Sequence, residues 1–308
     1  MQRVLLPSYS AIPKYLDQRG KSMKLMIRAH DLGVKGERDV AKAVVESNLD
    51  GVQLVAYKCT TDIKYEQGSI SLPRAEELGQ AFSEEGLSIP LIGAYFNPVH
   101  PSKEKIQRGI AVFKDYLDVA KSIGCDTVGS ETGSYNGEPW IYHPMNHSDE
   151  ALDIVVEAFG DLADYASSRG VSIAVEGAFG HVCHTPERLL EAVNRIGRDN
   201  VRIIFDLYNY LDISNVDEAY DILDRGLSLF GDRILLFHIK DFVIGENKLV
   251  QCGVGRGVLD YDKILKKIFA HNPDAILVLE GTTGDDIGYA VSFLRKKIND
   301  INQPERND

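Results

Sequence analysis

The chain has 308 residues, a formal net charge of −12 and a hydrophobic content of 44%, ordinary proportions for a soluble globular protein. The acidic balance argues against a surface built to grip a nucleic-acid backbone, and no apolar run approaches the ~18 residues of a membrane span. Cys59, Cys125, Cys183 and Cys252 are widely spaced with no C-x-x-C pair, which reads as reduced thiols in a cytoplasmic protein.

In chain order, residues 1–22 read as an N-terminal extension, either a tag or the product of an alternative start at Met23. Val4-Leu5-Leu6-Pro7 is too short for a signal-peptide core. From Met23 onward, strand-like and helix-like stretches alternate. Strands are expected at 25–29, 51–55, 89–94, 127–130, 171–176, 201–206, 233–238 and 275–280. Helices are expected at 38–47, 73–85, 103–123, 148–169, 186–195, 216–229, 261–270 and 285–297. Pro73 and Pro186 suit a first helical turn, Thr185 suits an N-cap, and Gly86, Gly124 and Gly170 suit left-handed helix ends. This alternation predicts that residues 23–308 form a single α/β domain, a (β/α)8 TIM barrel. One stretch is long for a loop, Glu131 to His147, and is rich in Gly, Tyr, Trp and His. Loops of this length often close over a site.

Four apolar runs in the second half each end on a side chain able to bind a metal. Val171–Val175 precedes Glu176, Val201–Phe205 precedes Asp206, Arg233–Phe237 precedes His238, and Ala275–Leu279 precedes Glu280. Parallel strands of a β/α fold deliver their C-terminal ends to one face, so these four side chains should converge there. Three oxygen donors and one imidazole suit a divalent ion such as Mn²⁺, Mg²⁺, Co²⁺ or Zn²⁺.

Further residues at or near the same face are candidates for substrate contact. Glu131 ends the fourth strand, and Asn97 follows the third. His181 lies shortly after Glu176. Lys240 follows His238 by two, on the same side of an extended strand end, and Asp241 could hold Lys240 or cap the next segment. Trp140, Tyr142 and His143 lie in the long loop; His30 and His184 are weaker candidates, with loop positions as the default. The glycines of Gly253-Val254-Gly255-Arg256-Gly257 do not join a strand to a helix, so they are not a dinucleotide loop. They suggest a flexible loop carrying Arg256 toward an anionic or hydroxyl-rich ligand.

The strings Val128-Gly129-Ser130-Glu131-Thr132-Gly133, Phe205-Asp206-Leu207-Tyr208-Asn209, Phe237-His238-Ile239-Lys240-Asp241 and Leu279-Glu280-Gly281 occur in this order at β/α spacing. Through them the chain resembles the sugar phosphate isomerase/epimerase proteins, the xylose-isomerase-like TIM barrels, from about Met23 to its end. The resemblance implies one divalent metal ion held by Glu176, Asp206, His238 and Glu280. It implies a small-molecule carbohydrate substrate (a sugar, sugar phosphate or related polyol) and carboxylate-mediated proton transfer at a metal-bound carbonyl/hydroxyl pair. In the epimerase branch the residues matching Glu176 and Glu280 are acid and base on opposite faces of the substrate. One departure stands out: that branch has a substrate-binding histidine where this chain has Asn209, which can hydrogen-bond a hydroxyl but cannot shuttle a proton. The same site could serve a metal-dependent dehydratase of a keto-cyclitol, as in inosose dehydratases. An endonuclease IV-like nuclease needs a trinuclear zinc cluster and a basic groove, which fits an acidic chain with eight histidines poorly. A non-catalytic sugar sensor would not need both glutamates. The expected partners are therefore a small carbohydrate, with no nucleic acid and no membrane; a homo-oligomer is compatible with everything above.

Overall fold

The computed structural model describes residues 22–302. The extension expected over residues 1–22 lies outside the described residues, save Ser22. Eight parallel strands form the barrel: Lys24–Arg28 (β1), Gly51–Leu54 (β2), Ser88–Gly93 (β3), Thr127–Glu131 (β4), Ser172–Glu176 (β5), Val201–Asp206 (β6), Ile234–Ile239 (β7) and Ile276–Leu279 (β10). They close in the order β1-β10-β7-β6-β5-β4-β3-β2. Between β7 and β10 a hairpin of Asp241–Ile244 (β8) and Leu249–Cys252 (β9) pairs antiparallel, outside the barrel. The helices are Glu37–Glu46 (α1), Ala56–Cys59 (α2), Leu72–Ser83 (α3), Lys103–Ile123 (α4), Asp149–Ser167 (α5), Pro186–Ile196 (α6), Ala219–Phe230 (α7), Tyr261–His271 (α8) and Asp286–Asn302 (α9). The predicted TIM barrel is therefore the observed fold.

Local chemistry sets the element ends. Thr185 caps α6 by accepting from the Arg188 amide, and Pro186 opens its first turn. Ser102 and Ser148 cap α4 and α5 in the same way. Gly124 ends α4 in the left-handed conformation at φ 84°. The expected helix over 216–229 begins instead as a 3-10 turn at Val216–Glu218 before α7. The α9 helix runs to Asn302, five residues beyond its expected end at 297.

Two apolar layers divide the strand residues. Met26, Leu91, Ala174, Ile204, Leu236 and Val278 fill the barrel interior. Their neighbours Ile27, Val175, Phe205, Phe237 and Leu279 face outward and pack in the larger core shared with the helices. Burying these side chains is the main stabilising term, at about 25 cal/mol per Å² of apolar area. Packing is close: a Cβ on Gly226 of α7 would sit 2.3 Å from the Phe205 ring, so only glycine lets α7 seat there. The strand period of two then determines what stands above the interior layer. Two residues after Ala174 comes Glu176, after Ile204 Asp206, after Leu236 His238, and after Val278 Glu280. Met26 is likewise followed by Arg28.

All four cysteines are unpaired, three of them buried. No helix among the described residues is long and apolar enough to cross a membrane.

Candidate active and metal site

Glu176, Asp206, His238 and Glu280 converge as expected. One donor atom from each lies within 4.8 Å of the others, and all four residues are buried. Their strands β5, β6, β7 and β10 are consecutive neighbours in the barrel, so the ladder itself sets their spacing. His238 Nδ1 points at the carboxylates, 3.1 Å from Glu176 Oε1, 2.7 Å from Glu280 Oε2 and 3.9 Å from Asp206 Oδ2. Its Nε2 lies 2.6 Å from Gln53 Oε1. A ligating imidazole has this arrangement, one nitrogen aimed at the ion and the other donating to a fixed acceptor. Asp206 Oδ2 and Glu280 Oε2 are buried without an aligned hydrogen-bond donor, although cations lie close to both. Buried carboxylate oxygens in that state are costly unless a cation serves them. The donor set therefore fits a divalent ion held by Glu176, Asp206, His238 and Glu280.

Two further cations complete the cluster. Lys240 Nζ lies 3.0 Å from Asp206 Oδ2 and 3.0 Å from Glu280 Oε1, and donates to Asn209 Oδ1 at 2.9 Å. Arg28 Nη1 donates to Glu280 Oε1 at 2.6 Å. Its Nε and Nη2 grip Asp31 at 2.9 and 3.1 Å, and Asp31 accepts from the Gly281 amide at 2.7 Å. The Asn209 amide bridges the network, donating to Glu176 Oε1 at 2.7 Å.

The charges respond to these neighbours. Burial raises Glu176 above the usual carboxylate range despite the nearby His238. Burial likewise pushes Asp206 up to about 6 against the pull of Lys240. Burial acts the same way on Glu280, but Lys240, His238 and Arg28 together override it and hold this group well below the usual range. Burial would lower His238, yet Glu176 and Glu280 raise it to about 10. Lys240 is raised further against its burial, chiefly by Asp206 and Glu280, and stays an ammonium.

The remaining sequence candidates divide. Glu131 sits beside Glu176 in register on β4, and burial, then Glu280, pushes it up to about 7. His181 is buried, with Nδ1 3.4 Å from Glu131 Oε2 and Nε2 3.2 Å from the Trp140 carbonyl. Burial lowers it to about 4, so it is neutral. The Trp140 ring stands edge-on to His181 at 5.9 Å. Lys240 and Asn209 lie inside the cluster. Asn97 does not face a ligand: its Nδ2 donates to the Ser134 and Gly137 carbonyls and its Oδ1 accepts from the Val99 and Ser134 amides. It braces the root of the long loop. Arg256 is turned away as well, stacked over Tyr289 at 3.6 Å and 3.5 Å from Asp286. Nor is its glycine loop loose, because Asp241 accepts from the amides of Phe242, Gly255, Gly257 and Leu259. A Cβ on Gly257 would lie 2.1 Å from Asp241 Oδ1, so the close approach requires glycine.

Sequence reasoning missed Arg28, Gln53 and Asp31. Gln53 is a fully buried polar residue inside the apolar run Gly51–Leu54, and that interruption was its signal. Its Nε2 donates to the Tyr95 hydroxyl at 2.5 Å.

A family model described as xylose isomerase-like TIM barrel matches residues 41–297. The chain belongs to this family. Among curated relatives of this xylose isomerase-like barrel, the probable L-ribulose-5-phosphate 3-epimerase UlaE of Mycoplasma pneumoniae is 24% identical over 185 residues, covering 60% of this chain and 56% of that protein. The inosose isomerase of Bacillus velezensis is 26% identical over 168 residues, covering 52% of this chain and 54% of that protein. The chain thus spans little more than half the length of these relatives. A solved structure of the IOLI protein with a bound zinc atom superposes with a TM-score of 0.65 at 18% identity, over 91% of this chain and 98% of that one. At that identity the likeness speaks for the fold.

Proposed function

We propose that this protein is a metal-dependent isomerase or epimerase of a sugar, sugar phosphate or cyclic polyol, working by proton transfer next to a carbonyl. The observation that carries this reading is the buried quartet Glu176, Asp206, His238 and Glu280 on adjacent strand ends, with two of its carboxylate oxygens lacking an aligned donor. A bound divalent ion would supply Lewis-acid polarisation of the substrate's carbonyl and hydroxyl oxygens. The chain's own groups do the rest. Glu176 and Glu280 are the two carboxylates available as acid or base toward a carbon-bound proton. Lys240 and Arg28 offset the negative charge that develops on substrate oxygen. His181, which is neutral, and Glu131 offer hydrogen bonds to hydroxyls beside Trp140, and Asn209 offers one beside Glu176.

The names of the relatives, an L-ribulose 5-phosphate epimerase and an inosose isomerase, support keto-sugars and keto-cyclitols as the first substrates to try. The test is turnover of a panel of ketoses, aldoses, sugar phosphates and inososes by metal-stripped and metal-reloaded protein. Isomerisation or epimerisation that vanishes on stripping and returns with Mn²⁺, Co²⁺, Zn²⁺ or Mg²⁺ is the expected result. Turnover indifferent to metal, or loss of water from the substrate as the main reaction, would refute it.

A further inference from the structure

The two candidate proton-carrying glutamates are not equivalent, and the difference lies in which oxygens are already engaged. Glu280 has neither oxygen open to a substrate: one is gripped and the other is sealed without an aligned donor. Oε1 accepts from Arg28 at 2.6 Å and has the Lys240 ammonium at 3.0 Å, while Oε2 faces His238 Nδ1 at 2.7 Å. Arg28 cannot easily let go. Its other two nitrogens are held by Asp31, and Asp31 is tied to the Gly281 amide, the residue next to Glu280 itself. The clamp and the group it clamps therefore move together. Glu176 differs. Its Oε1 takes both contacts, from Asn209 at 2.7 Å and His238 at 3.1 Å. Its Oε2 has no hydrogen bond or ion pair among the described residues, yet it is not sealed off as Asp206 Oδ2 and Glu280 Oε2 are.

We infer that Glu280 serves as a fixed anion and that Glu176, through Oε2, is the single carboxylate that carries the substrate proton, so the enzyme shifts a carbonyl between neighbouring carbons on one face and does not invert a stereocentre. This rests on the proton-transfer reading above and narrows it from isomerase or epimerase to isomerase. Inversion needs a second acceptor on the opposite face. Glu280 could serve there only by giving up a charge-assisted bond to Arg28, one of the stronger kinds in a protein.

For a ketose the step balances as follows. Glu176 Oε2 takes a proton from C1, the C1–H pair becomes the C1=C2 bond, and the C2=O π pair moves onto O2. The proton of the C1 hydroxyl passes from O1 to O2. Glu176 then returns its proton to C2 and the O1 electrons form the C1=O bond. No oxidant or reductant is required. Arg28 is here a positioning residue, acting through Glu280.

The experiment uses the full chain loaded with Mn²⁺ and dihydroxyacetone in D2O, with deuterium located by NMR. Each hydroxymethyl carbon of this probe carries two hydrogens, one for each face. Single-face exchange that stops at CHD is the expected result. Glu176→Gln should slow it by about a hundredfold or more. Arg28→Met should bring second-face exchange into view, while Arg28→Lys, which keeps a cation near Glu280, should not. The measurement on the unaltered protein needs no variant to fold. Exchange of both hydrogens at comparable rates in that protein would overturn the inference and leave the isomerase or epimerase reading standing. Second-face exchange that stays absent in Arg28→Met would remove Arg28 as the cause. No exchange above that of metal-stripped protein would overturn both readings.

Discussion

Replacing Gln53 by Leu tests how the metal site is built without touching a ligand. Gln53 Oε1 is the acceptor 2.6 Å from His238 Nε2, and both side chains are buried. Leucine keeps most of the volume and removes the acceptor. The Nε2–H that a Nδ1-ligating imidazole must carry then has no partner, and an orphaned buried donor costs about 1–3 kcal/mol. Metal-free protein, whose imidazole carries a proton on both nitrogens, escapes part of that cost by shedding the Nε2 proton and keeping the one on Nδ1, toward Glu176 and Glu280. The loss therefore falls mainly on the metal-bound state, and binding should weaken about 10- to 100-fold. Chelator competition with Mn²⁺ or Zn²⁺ reads this directly, with circular dichroism to confirm the fold. Gln53→Glu, which restores an acceptor, should recover most of the affinity. A Gln53→Leu protein that is folded and binds metal within about twofold of the parent would refute the assignment of His238 Nδ1 as a ligand atom.

Five other outcomes are expected. His238→Ala should lose metal far more completely than Gln53→Leu, since one of four protein ligands disappears; metal analysis of the purified variant decides it. Metal affinity should rise with pH. The metal-free folded state keeps His238 protonated up to about 10, so ion binding must expel that proton, and titrations from pH 6.5 to 9 should show progressively tighter binding. The same raised value stabilises metal-free protein fully below the unfolded histidine value of about 6.5, and that contribution is lost as pH climbs toward 10; a melting temperature flat across this window would contradict it. Asp241→Ala leaves several amides of the glycine loop without their acceptor and should cost about 2–4 kcal/mol in urea unfolding, more than Asp241→Asn. Gly226→Ala drives a methyl into the Phe205 ring and should cost about 1–3 kcal/mol by the same assay.

The barrel was legible because its strands are short β-branched runs with helical periodicity between them, and the observed strand ends fall within a residue or two of those expected. The convergence of Glu176, Asp206, His238 and Glu280 was legible because a carboxylate or imidazole at the end of such a run stands out. Arg28 and Gln53 were missed because these strands are apolar on both faces, so no alternation marks which residues point into the barrel. Only the interior layer of Met26, Leu91, Ala174, Ile204, Leu236 and Val278 reveals the register, and contacts of that range are not a local property of sequence. The β8–β9 hairpin was overlooked for the opposite reason. Phe242-Val243-Ile244 and Leu249-Val250-Gln251 flank the turn Gly245-Glu246-Asn247-Lys248, a readable signal, but Val243, Ile244 and Val250 are exposed and the run lacks the burial pattern that marked the barrel strands. Arg256 and Asn97 were placed near the ligand by position alone. Their partners, Tyr289 with Asp286 and the root of the loop, are distant in sequence.

That loop root has a consequence for how such an enzyme could change its substrate. Residues 132–147 are pinned at the base by Asn97 and by Asn146, whose amide reaches Ser134 Oγ and the Gly180 carbonyl. The tip, with Ile141, Tyr142 and Met145 exposed, bears none of the quartet. The reactive groups stand on the ladder of the barrel, whereas the wall above them is a separate span fastened at two asparagines. Sequence can drift along that span, or be exchanged wholesale between Ser134, which Asn97 holds, and Asn146, while the reactive groups keep their spacing. Recognition and chemistry are in this sense inherited independently, and a chimaera carrying a relative's tip between these anchors would change what is bound before it changed what is done to it.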